Sequence, residues 1–96
     1  MKMIKWLENW YKSQCNGDWE HMFGIKIDTL DNPGWNVEID IVDTELEDKP
    51  FKDYEYNLED DNDWMFCRVK DGKFDAAGDP HKLGEIIRIF KEWVES

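Results

Sequence analysis

Ninety-six residues suffice for a single domain, read here as residues 1–96, and a chain of this size buries roughly 60–65% of its unfolded surface. Six tryptophans within an aromatic content of 15% exclude a disordered chain even though 36% of the residues are charged. Twelve basic residues against 23 acidic ones give a net charge of −11, a field that repels nucleic acid and anionic membranes and that either favours a basic protein or serves solubility alone.

Residues 3–14 read as a helix. Met3, Leu7 and Trp10, flanked by Ile4, Trp6 and Tyr11, make a broad apolar stripe, with Lys5, Glu8, Asn9 and Lys12 on the other side. Asn16-Gly17 supplies the left-handed residue that commonly ends a helix. Residues 19–30 and 35–42 then alternate. Phe23, Ile25, Ile27 and Thr29 share one parity, and so do Trp35, Val37, Ile39 and Ile41. Two such runs around Asp31-Asn32-Pro33-Gly34 predict a hairpin with one apolar face. Opposed residues must lie on one face, so the numbers of each pair sum to an even value. Proline disfavours a helical Asn32 before it, which argues for a five-residue loop, Leu30 to Gly34, over a three-residue one. The expected register sets Ile27 against Val37, Ile25 against Ile39 and Lys26 against Glu38.

The stretch 43–62 is acidic and weakly patterned, with a short edge strand expected from the alternation of Tyr54, Tyr56 and Leu58 after Pro50. Asp71-Gly72 is a strong two-residue turn signal between runs 63–70 and 73–76. It pairs Val69 with Phe74 and Arg68 with Asp75. Met65, Cys67, Val69 and Phe74 then share the inner face, and Trp64 and Phe66 fall on the other. Asp79-Pro80 reads as the start of a last helix, with Asp79 as its capping carboxylate and His81 in its first turn. Leu83, Ile86, Ile87, Phe90, Trp93 and Val94 recur at helical spacing, and Gly84 inside this run suggests close packing. The predicted fold is α+β: an N-terminal helix, an antiparallel meander sheet of four to five strands, and a C-terminal helix, with both helices on one sheet face. The opposite face is expected to be partly open and rich in carboxylates.

The opening "MKMIKWLENW" lacks the apolar core of a signal peptide, and no run approaches the ~18 apolar residues of a membrane span. The expected location is cytoplasmic, with Cys15 and Cys67 reduced. No zinc spacing, calcium-loop pattern, nucleophile motif or phosphate-cradling glycine loop is present, and neither a cofactor nor a catalytic residue is assigned. In "EDDNDW", the glycine and glutamate that a hand-type calcium loop needs are replaced by Phe66 and Gly72 when counting starts at Asp61. The one constellation open to acid–base chemistry is "GDWEH". There Asp18 and Glu20 would share a strand face as a carboxylate pair, with His21 pointing away. The plainer reading makes Asp18 the end of a turn and Glu20 a ligand of nearby backbone. Trp10, Trp35 and Trp93 lie on apolar faces and are expected in the core, whereas an aromatic among carboxylates such as Trp64 suits an interface anchor.

The segments "WLENWYKSQCNGDWEHMFGIKIDTLDNPGWNVEIDI" and "DWMFCRV.DGKFDAAGDPHKLGEIIRIFKEWVE" resemble the immunity protein 53 family of bacterial polymorphic toxin systems, most specifically in "CNGDWEH", "TLDNPGW" and "IFKEWV". The resemblance implies an antitoxin: a small cytosolic protein that binds and blocks a cognate toxin domain. An acidic body without a catalytic signature suits a basic partner, for instance a nuclease toxin. The expected contact residues are the acidic sheet face, Asp28, Glu38 and Asp40, and the acidic loop, Asp60, Asp61 and Asp63, with Trp64 as anchor. The alternatives are a small acid–base enzyme using Asp18 and Glu20, or a metal-binding module.

Overall fold

The computed structural model describes residues 2–96. Two long helices, α1 (Lys2–Gln14) and α3 (Leu83–Glu95), a single helical turn α2 (Trp19–Met22) and five strands make up the chain: β1 (Ile25–Leu30), β2 (Gly34–Asp40), β3 (Tyr54–Tyr56), β4 (Met65–Lys70) and β5 (Lys73–Gly78). The strands form one open antiparallel sheet in the order β1-β2-β5-β4-β3. The expected helix–sheet–helix arrangement is therefore present. The meander is interrupted once, because the chain leaves β2, next to the β1 edge, and crosses to the far edge before β3, β4 and β5 return in sequence.

Both hairpins keep the register that face parity demands. Ile25 opposes Ile39, Lys26 opposes Glu38 and Ile27 opposes Val37. Arg68 opposes Asp75 and Val69 opposes Phe74. The first loop is shorter than expected, since Leu30 pairs with Gly34 and only Asp31, Asn32 and Pro33 turn the chain. The Asn32–Pro33 bond is cis, a geometry outside the reasoning that disfavoured this loop. Gly34 is required there, because any Cβ would run into the carbonyl oxygen of Gly78 on β5. In the second turn Asp71 and Gly72 take φ of 54° and 76°, the pair of left-handed residues that matches strand twist.

One sheet face is covered. Val37, Ile39, Met65, Cys67, Phe74 and Ala76 point into a core closed by Leu7 and Trp10 of α1 and by Ile86, Ile87, Phe90 and Trp93 of α3. Phe90 is its hub, with ring centroids 5.0 Å from Trp10, 5.1 Å from Phe74 and 6.0 Å from Trp6. Each such side chain contributes about 1.5–3 kcal/mol by leaving water. The crossing segment is part of this layer. Ile41 and Leu46 are buried, Phe51 packs edge-on against Trp93 and Phe74, and Lys49 donates to the carbonyls of Trp93 and Ser96 at the end of α3.

Three local expectations are corrected. Residues 19–22 form a helical turn instead of the first part of a strand, because Asn16 Oδ1 accepts from the Asp18 and Trp19 amides and folds the chain back. The last helix begins at Leu83, not Pro80. Asp79 caps a turn by accepting from the His81 amide, and His81 is exposed ahead of the helix. Gly84 faces open space and is not closely packed. Of the three tryptophans expected in the core, Trp10 and Trp93 are there, but Trp35 is only half-buried and donates to the Pro80 carbonyl.

Candidate interaction surface

The corner Asn16–Met22 is built for folding. Glu20 accepts from the amides of Asn16 and Gly17 at 2.9–3.2 Å. Backbone hydrogen bonds, its own amide's first, hold its carboxyl below the usual 4.5 against an opposing desolvation. A carboxylate kept ionised in this way is a poor proton donor. Asp18 sits outside the helical turn and is exposed, so the shared strand face that would have paired it with Glu20 does not exist. Cys67 is buried, and desolvation pushes its thiol up to about 12, which leaves it protonated and unreactive. Among the described residues, no three His, Cys, Asp or Glu side chains come together as a metal site. No helix there is long and apolar enough to cross a membrane.

The uncovered sheet face displays side chains in cross-strand rows set by the register. One row runs Lys26, Glu38, Asp75, Arg68, and the next runs Asp28, Asn36, Ala77, Phe66, Glu55. Of the three carboxylates expected to bind a partner here, Asp28 lies 3.6 Å from Lys26. Asp40 pairs with Lys73 and also accepts from the Gly24 amide. Asp75 is likewise engaged, by Arg68 at 2.9 Å. Only Glu38 has no basic side chain within ion-pair distance among the described residues. The face is thus charge-mixed rather than uniformly acidic, because β1, β4 and β5 contribute lysine and arginine to the rows that β2 fills with carboxylates.

The second expected cluster lies at one end of this face, where the loop from Asn57 to Trp64 joins β3 to β4. Asp63 is pinned: Lys82 bonds it, Tyr56 donates to it at 3.1 Å, and the lysine holds its carboxyl below the usual 3.8. Lys82 also bonds Asp79, which is fully buried and accepts from the amides of Trp64 and His81. Burial alone would raise the Asp79 pKa, but Lys82 and these two amides outweigh it and hold it low. The two carboxylates in turn raise the ammonium of Lys82 above its ordinary range. Asp60 and Asp61, by contrast, are exposed and carry no ion pair among the described residues.

Between these carboxylates lies apolar surface. Trp64 stacks on Phe66 with centroids 6.4 Å apart, and Arg68 follows 5.1 Å from the Phe66 ring. Leu58, 48% exposed, separates two shallow depressions of about 290 and 270 Å3. The first is lined by Asn32, Asp60, Asp61, Trp64 and Phe66, the second by Asp53, Glu55, Phe66 and Arg68. The sequence placed Trp64 and Phe66 on the outer face. It showed Leu58 only as part of the alternating edge strand and did not single out Asp53 or Glu55, nor the Asp79–Lys82 pair, whose motif reads as a helix cap.

Charge is distributed unevenly along the chain. Residues 43–63 hold ten acidic and two basic residues, a net −8 of the total −11. That segment is the one that crosses to β3 and forms this loop.

A family model described as Immunity protein 53 matches residues 4–95. No curated protein and no solved structure matches the chain.

Proposed function

The chain belongs to the immunity protein 53 family, and on that premise we propose that this immunity protein neutralises a cognate toxin domain by covering a basic surface of it, for instance the phosphate-binding cleft of a nuclease, in the cytoplasm of the producing cell. The observation that carries the reading is the surface made by exposed Leu58 and the half-buried Trp64 and Phe66, set among Asp53, Glu55, Asp60 and Asp61. An apolar centre ringed by carboxylates that have no ion pair among the described residues suits a partner whose lysines and arginines bring both a charge and an aliphatic stem. Trp64 acts as the anchor, Asp60 and Asp61 steer the approach, and Asp63 fixes the loop. On the open sheet face Glu38 is the carboxylate available to a partner, while Asp28 and Asp40 contribute to the field with their charges partly offset.

The experiment is co-expression with the toxin encoded beside the gene. Survival should require this protein, and the two should co-purify. Asp60→Lys with Asp61→Lys should slow association and flatten its dependence on salt, and Trp64→Ala should speed dissociation. Rescue that is indifferent to all three changes, or protection without a complex, overturns the reading.

A further inference from the structure

We propose that the chain also pairs with a second copy of itself through the free edge of β1, joining two five-stranded sheets about a two-fold axis at Ile27. This surface lies at the opposite edge of the sheet from β3 and shares only Asp28 with the toxin-binding reading.

β1 is outermost, six residues long, in unbroken register with β2 and free of proline. The Asp40 amide donates to the Gly24 carbonyl. Hydrogen-bonding sides alternate along a strand, so the even-numbered residues of β1 bond β2, and Ile25, Ile27 and Thr29 turn their N–H and C=O groups outward. Such an edge is usually blunted by shortness, proline, a bulge or charged side chains, and here only the last are present, as Lys26 and Asp28. Its inner face is also left open. Ile25 and Ile27 line an apolar groove of about 410 Å3 against Ile4, Leu7 and Tyr11 of α1, with Ile4, Ile27 and Tyr11 each 37–38% exposed.

The outer face of β1 identifies the occupant. Lys26 and Asp28 flank Ile27 there with opposite charges. An antiparallel second copy centred on Ile27 sets each Lys26 against the other copy's Asp28, twice. These pairs fall at non-hydrogen-bonded positions, where opposed Cα atoms are only about 4.5 Å apart. Moving the axis to Ile25 or Thr29 loses both pairs, and a parallel pairing sets like against like. The strand is therefore self-complementary in a single register, as a two-fold interface requires. Net charge opposes association, but the segment that carries −8 runs to the other edge, leaving −3 over residues 1–42. At physiological ionic strength charges are screened beyond about 8 Å, a reach the Lys26–Asp28 contacts lie within.

Sedimentation velocity of the full chain across a concentration series tests this. A reversible monomer–dimer equilibrium is expected. Lys26→Asp and Asp28→Lys should each weaken it by about tenfold. The double swap should restore it, and an equimolar mixture of the two single variants should form a heterodimer. Ile27→Lys should leave a monomer with an unchanged circular dichroism spectrum, since the side chain is already partly in water. A monomer at every concentration overturns the proposal, as does a dimer that ignores these substitutions. So does a monomer whose toxin capture is lost on Ile27→Lys, because the edge would then belong to a toxin strand.

Discussion

The two edges of this sheet are opposites. β1 is long, regular and nearly balanced in charge, with Lys26 and Asp28 side by side, and it borders an open apolar groove. β3 has three residues, sits between stretches of carboxylates, and is tied to the body through Tyr56, Asp63, Lys82 and Asp79. Both edges lie on the same antiparallel ladder, so backbone geometry does not separate them. The side chains do. One edge can be extended by more sheet, and the other presents a charged, aromatic relief suited to a differently shaped partner.

The contrast can be broken most forcefully at the β3 side. Asp79→Ala leaves the Trp64 and His81 amides without their acceptor and removes one of the two carboxylates on Lys82. It should lower stability by about 2–4 kcal/mol in denaturant unfolding and loosen the loop that carries Trp64, while β1 keeps its protection in amide exchange. On the β1 side, Gly34→Ala pushes a methyl group into the Gly78 carbonyl and should cost about 1–3 kcal/mol, with exchange rising first in the β1–β2 hairpin.

Acid should sharpen the difference further. Asp63 and Asp79 have folded-state pKa values below the usual 3.8, so their contribution is complete above that value and is lost as pH falls through the depressed ones. Lys82 is raised above 10.5, so its contribution is complete below 10.5 and is lost only as pH rises through its higher value. Stability measured against pH should therefore be level across the neutral range, with loss of Trp64 order accompanying the acid limb. The smallest effect is expected where neither edge is touched. Gly84→Ala, on the open side of α3, should stabilise by about 0.5–1 kcal/mol in a thermal melt and leave toxin binding unchanged.

Much of the architecture was legible because parity is a strict constraint. Once Ile25, Ile27, Val37 and Ile39 must share a face, only a few registers remain, and Asp71-Gly72 fixes the second hairpin outright. What escaped was decided by hydrogen bonds that a period cannot encode. Asn16 Oδ1 takes two amides and turns residues 19–22 into a helix. Asp79 looks like a helix cap in sequence but spends its oxygens on Trp64, His81 and Lys82. The candidate surface was half visible. Trp64, Asp60 and Asp61 stood out by composition. Leu58 lies beyond the three residues of β3, in a loop whose neighbours are set by tertiary contacts, and Lys73, which tempers Asp40 on the open sheet face, arrives from a strand distant in sequence.

The route the chain takes from β2 to β3 has a consequence for the order of assembly. Each hairpin closes over a few residues, but in the joint between β2 and β5 even the pair nearest in sequence is Asp40 with Lys73, and the farthest is Trp35 with Gly78. Closing it carries the largest loop entropy in the sheet. The slow event in folding is then the docking of two ready-made hairpins, and a molecule coming apart opens along its middle while both outer strands still hold their neighbours.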